Sequence, residues 1–232
     1  MITQWYWTDI PENFDFLMKG LFITFKLSLI SISGSLILGM IFGILRYSML
    51  FLISWLAVGY IELVRSIPLI LFIVFIHFGA IPYLTGEPSS FFNSSCIALI
   101  IFTSAYVAEI IRSGLNSIEK GHIDAAKSLG LNAFQRLIYI ILPMAVSRMT
   151  PALVSQFISL IKDTSLASTI GLIELTRSGE IIYERTYHES EILIFIAFVY
   201  FVICFGLSKL SKIFETKPYM FAEKREPVGA NQ

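Results

Sequence analysis

Apolar residues in this chain fall into long blocks divided by short polar stretches, and several blocks exceed the length of a buried core helix. The first runs roughly Leu21–Leu45 and ends at Arg46. A second, Met49–Tyr83, is too long for one upright helix and is interrupted by Glu62, Arg65 and Pro68. It reads as a lead-in helix, an irregular point near Pro68, and a continuation. The stretch Gly86-Glu87-Pro88-Ser89-Ser90 is a turn. A third block, about Asn93–Ile111, carries Glu109 and closes at Arg112. The fourth begins near Pro143 or Pro151 and reaches about Ile170, with Lys162, Asp163, Thr164 and Ser165 inside it. Leu172–Glu191 is polar, rich in acids, and holds one helix-like stretch. The fifth block is Ile192–Leu207 or slightly longer, followed by Lys209, Lys212, Lys217, Lys224 and Arg225. The pattern predicts an all-α membrane protein with five transmembrane helices.

Composition agrees: 56% of the 232 residues are hydrophobic, 15% are charged, and mean hydropathy is +0.75. Net charge is zero, which gives no electrostatic case for a nucleic-acid partner. Cys96 and Cys204 read as small core residues without metal spacing, and His77, His122 and His188 lie in separate segments. No metal ligand set is expected. Within the first block, Gly39 and Gly43 form a small-x-x-x-small pair that lets another helix approach closely. Residues 1–20 open with Trp5, Tyr6 and Trp7 among acids, unlike a secretory leader, and suit the headgroup layer. Basic residues gather at Arg46, between Arg112 and Arg136, and in the tail, whereas the Gly86 turn has none. The positive-inside rule then places the N-terminus outside and the C-terminus in the cytoplasm, the parity that five spans require. The expected division is an interfacial, periplasmic segment over 1–20, one transmembrane domain over 21–212, and a cytoplasmic tail over 213–232.

Between the third and fourth blocks lies a polar hairpin, Gly121–Pro143 (GHIDAAKSLGLNAFQRLIYIILP), within a loop of about 113–143. Ala125 and Ala126 favour a helix that can lie close against a partner surface. Gly130 is placed to end that helix with a left-handed cap. Ala133, Leu137, Ile138 and Ile141 recur at helical spacing, which predicts a second helix lying along the headgroups before Pro143. On residues alone the hairpin is either a plain surface connection or a docking element. Its pattern of Asp124-Ala125-Ala126, three residues, Gly130, nine residues, then Ile140-x-Leu142-Pro143 resembles the EAA loop of permease subunits of bacterial ATP-binding-cassette importers. Asp124 stands where that signature has Glu. The resemblance implies a type I ABC importer permease fold with a cytoplasmic coupling hairpin, in which Gly121, Asp124, Ala125, Ala126 and Gly130 engage an ATPase.

Ionisable residues inside membrane blocks are costly and mark cavities or pathways. Three clusters qualify: Glu62, Arg65 and Pro68; Tyr106, Glu109 and Arg112; and Lys162, Asp163, Thr164 and Ser165. They either pair with one another and brace the bundle, or they contact a solute. All three resemble the polar-amino-acid branch of the importer permeases, and with the hairpin the resemblance covers about residues 20 to 210. Ser66-Ile67 departs from the Gly-Thr frequent there, and His122 replaces a common Gln. The resemblance implies a substrate site near mid-membrane built from Glu62, Arg65, Pro68, Tyr106, Glu109, Asp163 and Thr164. Glu109, Glu62 and Asp163 are suited to an ammonium group; Arg65, Thr164 and backbone N–H groups near Pro68 are suited to a carboxylate.

It also implies the partners: two ATP-binding-cassette ATPase subunits, a periplasmic substrate-binding protein, a second permease protomer (identical or homologous), membrane lipid and an amino-acid substrate, in a bacterial inner membrane. The chain lacks GxxxxGK[ST], so ATP and Mg belong to the partner ATPase, and no cofactor is expected on this chain. A stand-alone carrier or channel for small polar solutes is the alternative, though the blocks show no clear internal repeat. A membrane enzyme ranks behind both, because no Ser/His/Asp set or carboxylate pair with a histidine emerges.

Overall fold

The computed structural model describes residues 6–47 and 51–215. Trp5 and the basic tail residues Lys217, Lys224 and Arg225 lie outside the described residues. Within them the chain forms eleven α-helices: α1 (Asp9–Glu12), α2 (Phe14–Tyr47), α3 (Phe51–Arg65), α4 (Leu69–Phe75), α5 (Ile81–Thr85), α6 (Phe91–Asn116), α7 (Lys120–Ser128), α8 (Ala133–Arg136), α9 (Leu142–Asp163), α10 (Leu175–Thr186) and α11 (Glu189–Glu215). Two π-helical turns, Ile76–Ala80 and Leu137–Ile141, and a 3-10 turn, Thr164–Ile170, join neighbouring helices.

Four helices, Phe14–Arg46, Phe91–Asn116, Ala133–Ile170 and Glu189–Lys212, are long and apolar enough to cross a bilayer. A fifth span is formed if the pair Ser54–Arg65 and Leu69–Thr85, bent by 103°, is counted as one. The bend falls at Pro68, as the sequence pattern predicts. Proline has no N–H to donate and forces the preceding residue out of the helical region, so α3 ends in tight turns from Ser66 and Ile67 and α4 starts afresh. Pro68 itself adopts φ −60° and ψ 134°.

Two boundaries differ from the hydropathy pattern. The first span begins at Phe14 rather than Leu21, because Leu17 is fully buried against Leu175, Ile182 and Ile192 and because Lys19 pairs with Asp15 one turn back, at 2.6 Å. The helix expected along the headgroups is instead the start of a single 38-residue helical rod, Ala133–Ile170. Pro143 does not break it, since it occupies the first turn of α9 just after the π-turn. The i→i+5 pattern there shifts the carbonyls that a proline would otherwise meet.

The helix α6 is the hub, with apolar clusters on both sides. One holds Leu27, Val64, Phe72, Ile73, Leu99, Phe102 and Ala167. A second, at the hairpin end, joins Val107, Ile111 and Leu115 to Ala145 and Met149 of α9. Two hydroxyls inside α2 bond back to their own helix, Ser28 donating to the Thr24 carbonyl at 2.8 Å and Ser33 to the Leu29 carbonyl at 2.9 Å, whereas the buried Ser31 hydroxyl has no partner among the described residues. The Gly39/Gly43 pair does what its spacing predicts. A Cβ on Gly39 would lie 2.5 Å from Val107 Cγ1, and one on Gly43 would lie 3.0 Å from the Ala108 carbonyl oxygen. These glycines set how closely α2 can meet α6.

At the end opposite the hairpin, α10 is tied down by Glu174. Its buried carboxylate accepts from the N–H groups of Thr176 and Arg177, both at 2.9 Å, and from the hydroxyls of Tyr200 at 3.1 Å and Thr24 at 3.3 Å. This caps the helix and joins α2, α10 and α11. Burial pushes the Glu174 carboxyl above the ordinary glutamate range, against the pull of those hydrogen bonds.

Two expectations follow. Substituting Gly39 by valine forces α2 away from α6 and costs about 1–3 kcal/mol, read as earlier thermal loss of the monodisperse complex in detergent; an unchanged melting temperature refutes the close packing. For Glu174, the folded state holds its proton to higher pH than the unfolded state. Stability therefore falls as pH rises above the ordinary glutamate value through the raised one. E174Q is expected to flatten that part of the melting-temperature profile, and an equal slope in both proteins counts against the assignment.

Candidate functional site

The break at Pro68 leaves the last turn of α3 facing the middle of α6. Glu109 of α6 is gripped from two sides: Arg46 Nη1 of α2 lies 2.5 Å from Oε2, and Arg112 Nη2 lies 2.5 Å from Oε1. Arg112 Nε adds bonds of 3.1 Å to both oxygens, the two-pronged geometry that suits guanidinium and carboxylate. Glu62 sits at the edge, 3.7 Å from Arg46 Nη2 and 58% exposed. Arg65 is exposed and lies over the Tyr106 ring at 5.2 Å. No carboxylate pairs with Arg65 among the described residues.

The first two clusters predicted from sequence are thus one site. The third approaches through packing: the turn Thr164–Ile170 buries Ala167 and Ile170 against Leu69, Phe72 and Ile73 of α4, directly after Pro68. Asp163 is half-buried and forms no ion pair among the described residues. Thr164 is fully buried, and its hydroxyl donates to the Ile161 carbonyl at 2.6 Å, which holds the turn. Lys162 points to the exposed side. Arg46 is the residue sequence reading undervalued. It marks a span end, but its role as bridge between Glu62 and Glu109 depends on a contact across 63 positions. The Gly39/Gly43 pair was the available signal.

The hairpin is built as its residues predict. Gly130 has φ +77°, and its N–H donates to the Lys127 carbonyl at 2.9 Å while Leu131 N–H reaches the Ala126 carbonyl at 3.2 Å. That pair of bonds is the Schellman closure. Asn132 and Gln135 then exchange side-chain bonds with each other's backbone N–H, both at 2.9 Å, in a capping box that starts α8. Ala126 is 2% exposed and seats α7, whereas Gly121 and Ala125 face outward. Asp124 is exposed, and the hydrogen bond from Lys127 at 2.8 Å holds its carboxyl below the usual aspartate range. Leu129 and Phe134, 80% and 71% exposed, crown the tip. The tip is thus doubly capped and presents bare apolar side chains.

Fold and site together define a helical membrane permease with a docking hairpin at one end and an arginine-rich polar cluster within the bundle. The chain belongs to the family of binding-protein-dependent transport system inner membrane components, which it matches over residues 35–218. It is 41% identical over 209 residues to the probable glutamine ABC transporter permease protein GlnP of Bacillus subtilis, covering 89% of this chain and 95% of that one. The glutamate/aspartate import permease protein GltK of Escherichia coli is 33% identical over 210 residues, covering 88% and 94%. Among solved structures, that of an amino acid ABC transporter with histidines superimposes with a TM-score of 0.86 at 33% identity, covering 92% of this chain and 99% of that chain. The chain is an ABC importer permease subunit in fold and family.

Because left-handed φ costs an ordinary residue about 1–2 kcal/mol, G130V is expected to loosen the hairpin while G130N, which tolerates that region, largely preserves it. Amide hydrogen exchange over residues 124–136 reads the difference. Equal protection in both variants removes the structural role given to Gly130.

Proposed function

We propose that this chain forms part of the membrane pathway of an ATP-driven importer for a polar or charged amino acid. The observation that carries this reading is the rod Ala133–Ile170, which has the capped hairpin at its start and, near its end, Asp163 followed by the turn that packs on α4 after the Pro68 break. Movement at the hairpin is thereby transmitted to the polar cluster. The similarity to amino-acid importer permeases supports the substrate class.

In this reading two ATPase subunits grip the hairpin from the cytoplasm through Leu129, Phe134 and the turn at Gly130, and they hold the ATP and Mg. A second permease protomer completes the pathway, and a periplasmic binding protein delivers solute at the α10 end. The N-terminus lies outside, the C-terminus inside, in a bacterial inner membrane. The transmembrane domain then starts at Phe14 rather than at residue 21 and runs to about 212, with the periplasmic interface at the N-terminal side and the cytoplasm at the C-terminal side.

Within the site, Arg65 is the guanidinium without an acid partner among the described residues and receives the substrate carboxylate, with Tyr106 beneath it. Glu62 and Asp163 are the carboxylates open to an ammonium group. Glu109 is committed to Arg46 and Arg112, so its role is to position α2 and α6. Thr164 and Pro68 shape the turn and the break that face the substrate.

The test is uptake into proteoliposomes holding the chain, its ATPase and binding protein, and internal ATP, against labelled polar, basic and acidic amino acids. ATP-dependent accumulation of one class is expected; uptake indifferent to ATP overturns the reading in favour of a stand-alone carrier. R65Q is expected to lower uptake by about tenfold or more, the equivalent of one charge-assisted hydrogen bond, with assembly intact. E109Q strands two arginines and is expected to reduce assembly and thermal stability, by less than the ~3–5 kcal/mol of a fully buried pair. If E109Q changed only apparent affinity, Glu109 would be a ligand and not a brace.

A further inference from the structure

Outside the cluster just described, a second polar concavity lies between the Thr164–Ile170 turn and α10, lined by Ser168, Thr169, Ile170, Gly171, Arg177 and Glu180. We propose that it is a receiving subsite for a zwitterionic α-amino acid, occupied before the solute reaches Arg65. This deepens the proposed function and rests on it.

The wall carries both charges a zwitterion needs. Arg177 Nη1 is held by Glu180 at 2.9 Å and Glu184 at 3.0 Å, which orients the guanidinium plane. Its Nη2 and Nε have no partner among the described residues, so one donor edge is left for a carboxylate. Arg177 and Glu180 are 31% and 23% exposed, accessible yet partly shielded from water. The Glu180 carboxylate, bonded through one oxygen, retains acceptor capacity for an ammonium group.

Hydroxyls add to this: Thr169 spends its proton on the Leu166 carbonyl at 2.7 Å and so presents lone pairs, and Ser168 makes no side-chain bond among the described residues. The walls are also fixed. Glu174 caps the first turn of α10 through the Arg177 N–H, and Gly171, at φ +99°, turns the chain beside the Phe91 ring. A preorganised site gains affinity because little is lost on ordering it. Glu180 and Glu184 together disfavour a purely anionic ligand, and the open edge of Arg177 gives a ligand with both charges a second hold that a plain cation lacks. The turn that lines this cavity starts at Thr164, next to Asp163, so the two sites share one backbone segment.

The assembled transporter in lipid nanodiscs, without binding protein, is examined by saturation-transfer NMR with L-glutamine as probe, in an R65Q background that silences the inner site. A signal that persists in R65Q and drops about tenfold on adding R177Q or E180Q is expected. Glutaramic acid, which lacks the amine, and 4-aminobutanamide, which lacks the carboxylate, are expected to give little signal in any variant. Elution volume and melting temperature report that the double variants are assembled. A signal in R65Q that neither R177Q nor E180Q reduces overturns the subsite, as does its absence from R65Q while wild-type uptake is intact. If R177Q weakens binding-protein affinity and spares the NMR signal, the α10 face is a protein-docking surface and the subsite is refuted. Absence of ATP-dependent uptake of any amino acid by the wild type overturns the proposed function itself.

Discussion

Charge inside an apolar bundle must be neutralised by the bundle, because lipid offers neither counter-ions nor water. The ion knot of Arg46, Glu109 and Arg112 satisfies that constraint, and much of the structure is arranged to allow it. Arg46 reaches Glu109 only because Gly39 and Gly43 remove the side chains that would hold α2 off α6. Two of the three arginines here, Arg46 and Arg112, take up both glutamates, and Glu109 is taken twice. The surplus positive charge falls on Arg65, which is steadied by the Tyr106 ring rather than by an acid. A cluster that neutralises most but not all of its own charge braces the bundle and, in the function proposed above, keeps one charge for a solute.

The long rod from Ala133 to Ile170 gives that site a mechanical connection. An α-helix that carries Pro151 forms its middle, a π-turn lies near one end and a 3-10 turn forms the other. Each departure has a local cause or partner: Pro143 follows the π-turn, while Thr164, Ser165 and Thr169 hydroxyls bond back onto carbonyls three residues earlier through the 3-10 turn. The hairpin at the start is rigid by a different device, the Schellman closure at Gly130 followed by the capping box at Asn132.

At the opposite end the same economy recurs with one buried acid. Glu174 caps α10, meets Thr24 of α2 and accepts from Tyr200 of α11, so three helices distant in sequence meet at one carboxylate. Nearby, His188 and Asp9 lie 2.6 Å apart, with the Tyr6 ring stacked on the histidine, and this ties the first residues to the start of α11. Polar contacts thus organise both ends of the bundle, while apolar packing against α6 fills the span between.

Much of this was determined by the sequence alone. Block lengths and hydropathy specify a helical membrane protein, Pro68 specifies the break, Gly130 specifies the end of α7, and the hairpin spacing specifies the family, because each of these rests on local chemistry or on a linear pattern. What only the tertiary structure decided concerns residues far apart in the chain. Hydropathy marked Glu62, Arg65, Glu109 and Arg112 as anomalous without saying which acid meets which base, and it did not single out Arg46 as the bridge. The start of α2 at Phe14 depended on the burial of Leu17 under α10 and α11, and the continuity of the rod through Pro143 depended on a shift in backbone hydrogen bonding. Glu174 looked like one acid among several until three helices closed around it. Ion pairing and burial depend on distances in space, and a chain read in one dimension contains those distances only implicitly.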